Sequence, residues 1–181
     1  MVHGILAAHH GIVKVYSEPG TGSAFQIYFP AVIDAATPTI VDQRDGSPGR
    51  GQHILFLDDE GVLVFVGTMM LEQSGYKVTG QSNGEAALID FRQRPNAFDA
   101  VVTDLSMPAI SGLQFAGELR KIRPDIPILL TSGYIDPQDQ ITAIRLGVHA
   151  VLTKPISHKE LLAALHDIFQ ERRELDKSQS A

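Results

Sequence analysis

FDAVVTDLSMPAISG, residues 98–112, decides the fold. It begins with an apolar run, FDAVVT, that stops at Asp104, and it continues into a turn-forming stretch with Pro108 and Gly112. A strand apolar almost throughout belongs in a sheet covered on both faces. In a parallel sheet of that kind ligands bind outside the carboxyl ends of the strands, which is where Asp104 falls.

Working outward, similar short runs appear at ILFL (54–57), YKVTG (76–80), IPILLT (126–131) and HAVLT (149–153). Between them lie helix-length stretches with apolar residues three and four apart. Examples are Val62, Val66, Met69 and Met70; Ala87, Leu88 and Phe91; Leu113, Phe115, Ala116 and Leu119; Ile141, Ile144 and Leu146; Leu161, Leu162, Leu165 and Phe169. Ser74-Gly75, Ser82-Asn83-Gly84, Arg94-Pro95 and Arg123-Pro124-Asp125 supply stop and start signals. Strand and helix alternate five times, which predicts an α/β domain with a five-stranded parallel sheet and helices on both faces.

The remainder has a different texture. Residues 1–30 read as a helix (Val2 to His9) and a hairpin, GIVKVYS and SAFQIYF joined by EPGTG. About 30 residues cannot bury a core of their own, so this fragment is incomplete. Residues 31–51, rich in Pro, Gly, Asp and Ser, read as a linker. The regular domain occupies 52–171, and 172–181 read as a frayed, solvated tail.

Composition narrows the function. The net charge is -6 with no basic block, which argues against nucleic acid as a partner. With no cysteine, disulfides, thiolate metal sites and thiol catalysis are excluded. No apolar run is long enough to span a bilayer, and no signal peptide is evident at the start, so a cytoplasmic segment without membrane contact is expected.

The strand ends carry the chemistry. The first strand ends in Asp58 and Asp59, the third in Asp104, the fourth in Ser132 and the fifth in Lys154. Three carboxylates and one ammonium leave a surplus of negative charge, and two like charges ~4 Å apart repel by roughly 4 kcal/mol at an effective dielectric near 20. Shared protonation is one relief and a hard divalent cation the simpler one. Magnesium, or manganese in its place, suits an oxygen-only site. Asp59, Asp104 and a backbone carbonyl, Ser106, would be its ligands, with Asp58 acting directly or through water. Asp104 is then the nucleophile toward a phosphoryl group, whose charge Lys154 and the metal neutralise. Ser132 would turn its hydroxyl onto the new phosphoryl oxygen.

FLDDE, VVTDLSMPAISG, ILLTSGY and VLTKP resemble, in order, the signature blocks of bacterial two-component receiver domains, across roughly residues 52–171. The resemblance implies the strand order 2-1-3-4-5 of the flavodoxin-like fold. It implies that Asp104 is the phosphoacceptor, Asp58 and Asp59 the acid pair, Ser132 the switch hydroxyl and Lys154 the site lysine. It further implies a cis peptide before Pro155 and a histidine kinase or histidine phosphotransfer protein as donor, followed by slow autodephosphorylation. Family members often carry an aromatic residue three positions before the lysine. Here Val151 stands there, leaving Tyr134 or backbone shifts to carry a signal. SEPGTGSAFQIYFP is similar to the closing hairpin of histidine kinase ATP-binding domains, with Gly20 and Thr21 as remnants. The asparagine-bearing motif and glycine-rich lid are missing, so no ATP binding is expected. The layout resembles the C-terminal part of a hybrid sensor kinase.

Plainer readings compete. Asp58-Asp59 could cap a helix, Lys154 could be a surface lysine, and Ser132 could bond its own turn. Met69, Met70 and Phe65 read as core fillers, and no histidine pair has zinc spacing. A phosphorylation-independent interaction module and an aspartyl-nucleophile phosphohydrolase are alternative functions. The hydrolase would place Asp-x-Asp after the first strand, where Asp58-Asp59-Glu60 stands. A flavin site would need a hydroxyl- and glycine-rich loop there, and two aspartates would repel its phosphate.

Overall fold

The computed structural model describes residues 10–30 and 49–179, the last seven of these by backbone alone. The expected helix at 2–9 and most of the expected linker lie outside the described residues. The chain divides into two units, Met1–Gln43 and Arg44–Ala181.

In the first unit, β1 (Ile12–Glu18) pairs antiparallel with β2 (Gly22–Tyr28), from Ile12 opposite Tyr28 to Glu18 opposite Gly22. The loop Pro19–Thr21 closes it, with Gly20 at φ 84° and Gly22 at φ 100°, values that favour glycine. Val15, Phe25 and Ile27 share one face and are exposed. A lone two-stranded sheet buries little apolar surface, so it adds little stability by itself.

The second unit alternates regularly. In order come β3 (His53–Leu57), α1 (Gly61–Gln73), β4 (Lys77–Gln81), α2 (Gly84–Gln93), β5 (Ala100–Asp104) and α3 (Gly112–Ile122). They are followed by β6 (Ile128–Ser132), α4 (Pro137–Arg145), β7 (Ala150–Thr153) and α5 (His158–Gln179). The five strands are parallel in the order β4-β3-β5-β6-β7, which is the expected 2-1-3-4-5. β3, β5 and β6 are buried at every position, which explains why they read as unbroken apolar runs.

Strand alternation sends the side chains to two cores. Ile54, Phe56, Val102 and Leu129 meet Leu71 of α1 and Leu161, Leu165 and Phe169 of α5. Leu55, Leu57, Val101 and Ile128 meet Phe91 of α2 and Phe115 and Leu119 of α3. Helices therefore cover both faces, and every one starts at the carboxyl edge of the sheet.

Local signals fix those starts. Asn83 accepts the Ala86 amide at 2.9 Å. Ser111 and Gln114 form a reciprocal capping box, Asp136 accepts from Gln138 and Asp139, and Ser157 pairs reciprocally with Glu160. Such caps supply acceptors for amides that have no intrahelical partner.

Two expectations need correction. Phe65 and Met69 are not core fillers: they are 64% and 42% exposed, alongside exposed Val62 and Val66. α1 is apolar nearly all round, so its sequence pattern did not single out the buried stripe, and only Gly67 and Leu71 are fully buried. The stretch from 172 is also not frayed, because α5 continues to Gln179. Its Glu, Arg, Leu and Lys residues are good helix formers, and Arg172 is tied to Asp125 at 2.8 Å.

Candidate functional site

At the carboxyl edge three of the expected residues meet. Asp58 and Asp104 are only 3% and 4% exposed. The Lys154 ammonium lies between them, with Nζ 2.7 Å from Asp58 Oδ2 and 2.6 Å from Asp104 Oδ1. Each partner is delivered by sheet register: β3 and β5 are neighbours, and Lys154 follows β7. The Lys154 amide donates to the Ser132 carbonyl at 2.7 Å, and the Lys154–Pro155 peptide is cis, as the resemblance implied.

Backbone amides complete the carboxylates. Glu60 N–H donates to Asp58 Oδ1 at 3.0 Å, and Ser106 N–H donates to Asp104 Oδ2 at 2.7 Å. Thr131 adds a long hydroxyl contact to Asp104 Oδ1 at 3.4 Å. Sequence reasoning passed over Thr131, although the register pairs it directly with Asp104. Gly112 lets the loop close: a Cβ there would sit 2.2 Å from the Asp104 carbonyl oxygen.

Burial works to lower the Lys154 pKa, but the hydrogen bonds it donates to Asp104 and Asp58 outweigh it and hold the ammonium above its ordinary range. The lysine is therefore charged at physiological pH.

Other expected residues stand apart. Asp59 is exposed and lines a small cavity with Asn83, Met107 and Pro108. Ser132 is buried, and its hydroxyl donates to the Tyr134 carbonyl and accepts the Tyr134 amide at 3.2 Å. That is the local turn bond of the plainer reading. Val151 is half-buried against the cluster of Leu105, Leu113, Leu130 and Ala143, while Tyr134 is 76% exposed.

Among the described residues no three His, Asp or Glu side chains converge as a ready metal-ligating group. The donor chemistry nevertheless fits a hard cation. Two buried carboxylates share one ammonium, a third carboxylate follows in sequence, and every donor is oxygen. Among the described residues no helix is long and apolar enough to cross a membrane.

Comparison with known proteins places this geometry. The family model described as "Response regulator receiver domain" matches residues 54–166. The chain is 28% identical over 181 residues to the sensor kinase CckA of Brucella abortus, covering 95% of the chain but 19% of the kinase. The chain thus spans about a fifth of that relative's length. Among solved structures, a receiver domain protein from Clostridium thermocellum is 29% identical with a TM-score of 0.65, over 68% of this chain and 98% of that one. The response regulator TrrA from Thermotoga maritima, solved with Mg2+ and a beryllium fluoride, is 30% identical with a TM-score of 0.58, over 65% and 98%.

Proposed function

The chain belongs to the response regulator receiver domain family, and from that premise we propose that Asp104 is its phosphoacceptor. The observation that carries the proposal is the buried Asp58–Lys154–Asp104 bridge at the carboxyl edge. An Asp104 oxygen attacks the phosphorus of a donor phosphohistidine, the P–N bond breaks as the P–O bond forms, and the imidazole leaves with the electron pair. Lys154, already beside Asp104, neutralises charge on the transferring oxygens. The Ser132 hydroxyl, released from Tyr134, would bond the phosphoryl group and move the loop after β6.

Asp58, Asp59, Asp104 and the Ser106 carbonyl would hold magnesium or manganese. When bound, the ion supplies the positive charge that the acid-rich edge lacks. The TrrA complex with Mg2+ supports this assignment by similarity.

The donor in this reading is a histidine kinase or phosphotransfer protein, and the location is cytoplasmic. Exposed Val62, Phe65, Val66 and Met69 on α1, the helix that follows Asp58 and Asp59, support protein docking beside the site. The hairpin is read as the end of a kinase ATP-binding domain, a reading supported by the extent of the kinase alignment.

Acetyl phosphate with magnesium is expected to add one phosphoryl group to the wild type and none to Asp104→Asn. Intact-mass measurement reads the result, and label that survives the substitution would overturn the assignment. Steady turnover of phosphate esters would favour the hydrolase reading instead.

A further inference from the structure

A cavity of about 440 Å³ opens between α1 and α5 and runs to the acidic edge. Its walls are Phe56, Val66, Gly67, Met70, Ile156 and Leu161, and its inner end is formed by Asp58, Thr131 and Lys154. The size falls within the roughly 300–1,000 Å³ of small-ligand sites, as does the combination of apolar walls with a few convergent polar groups. Gly67 brings helix backbone against the Phe56 ring, since a Cβ there would lie 2.5 Å from Cζ.

We propose that this cavity binds a small hydrophobic amine, with its apolar body between α1 and α5 and its ammonium on Asp58. The charge balance selects the amine. Lys154 is shared by Asp58 and Asp104, so until a divalent cation binds the pair keeps one uncompensated negative charge, and Asp59 adds another at the same strand end, which makes amine and cation competitors for Asp58. A carboxylate headgroup would meet that surplus, and a neutral one would leave it in place. Asp58 also has acceptor capacity to give. Each of its oxygens accepts one bond, from the Glu60 amide and from Lys154, whereas a carboxylate oxygen offers two lone pairs. The proposal rests on the acidic edge and the cavity, not on phosphoryl transfer, so failure to phosphorylate Asp104 leaves it untouched.

The test compares 4-phenylbutylamine, 4-phenylbutanol and 4-phenylbutyrate on the full chain in metal-free buffer, by calorimetry and by amide chemical shifts. The amine is expected to bind about tenfold tighter than the alcohol, the factor of one charge-assisted hydrogen bond, and to shift amides of α1 and residues 154–161. Asp58→Asn should erase the preference of amine over alcohol. Ile156→Trp should fill the cavity and abolish binding of both, with Val66→Trp as the second filling variant if the first melts early. An alcohol as tight as the amine, a tighter carboxylate, amine binding that survives these substitutions, or no binding by any of the three would each overturn the proposal.

Discussion

The two edges of the sheet solve opposite problems with similar residue types. At the carboxyl edge, two buried carboxylates share one lysine and negative charge is left over. At the amino edge, His53 and Arg123 have their polar groups partnered. His53 is 7% exposed, with Nδ1 2.9 Å from the Ala97 carbonyl and Nε2 2.8 Å from the Thr79 hydroxyl. Its own amide donates to Asp99 Oδ2 at 2.8 Å. Arg123 donates to the Pro95 carbonyl at 2.9 Å and to the Phe98 carbonyl, and Arg172 donates to the Asp99 carbonyl. A balanced edge holds the fold together, whereas an edge with surplus charge is poised to take a cation or an incoming ligand.

The largest test removes the shared cation. Lys154→Met leaves Asp58 and Asp104 buried without a counter-ion and should lower stability by about 3–5 kcal/mol, the usual effect of breaking a buried ion pair. Adding Asp58→Asn should recover part of that loss, read as a coupling in a double-mutant cycle by urea denaturation. Additive losses would mean that the charges do not act as one unit. Next in size is Gly112→Ala, whose methyl would overlap the Asp104 carbonyl. Overpacking of this kind costs roughly 3 kcal/mol, and an unchanged melting curve would show that the loop after β5 yields freely.

The carboxyl edge was the more legible of the two in the sequence. Parallel strands buried on both faces read as apolar runs, and each run ends where a site residue begins, so Asp58, Asp104 and Lys154 could be placed together from pattern alone. What the pattern lacks is side-chain direction. Asp59 follows Asp58 immediately yet faces solvent, and Ser132 is turned onto Tyr134. Thr131 sits inside the apolar run IPILLT, and register, not composition, brings it to Asp104. Helix faces were the weakest reading. On α1 apolar residues surround the axis, and on α4 the buried residue is Ala143, while Ile141 and Ile144 are exposed. The amino edge was hardly legible, because His53 and Arg123 find their partners in backbone carbonyls that no motif announces.

The amino edge should show itself through pH. Burial lowers the His53 pKa, the hydrogen bond to the Ala97 carbonyl opposes it, and the charges of Lys77 and Arg94 push it down further. The folded state therefore binds fewer protons than the unfolded state wherever the unfolded imidazole titrates, below about pH 6.5. Stability from His53 is complete above that pH and is lost as pH falls toward the folded value, by at most about 1.4 kcal/mol per pH unit. His53→Gln keeps an amide donor and acceptor and does not titrate. The wild-type advantage over this variant should shrink on acidification below about pH 6.5, and a difference independent of pH would break the contrast between the edges.

The smallest test concerns strain at the carboxyl edge. The amino-edge turns use glycine where φ is positive, at Gly75 (φ 86°) and Gly147 (φ 67°). The loop after Asp104 instead places Ala109 at φ 64°, a conformation that costs an L-residue roughly 1–2 kcal/mol. Glycine would remove that cost but lose about 0.5–1 kcal/mol more in ordering the chain. Ala109→Gly should therefore stabilise the domain by about 0.5 kcal/mol in urea denaturation. If the strain holds the Ser106 amide against Asp104, the same variant should shorten the lifetime of phosphorylated Asp104 while raising stability. A gain in stability with an unchanged lifetime would assign the strain to loop closure alone, and a loss of stability would show that the alanine side chain contributes more in its packing than its backbone costs.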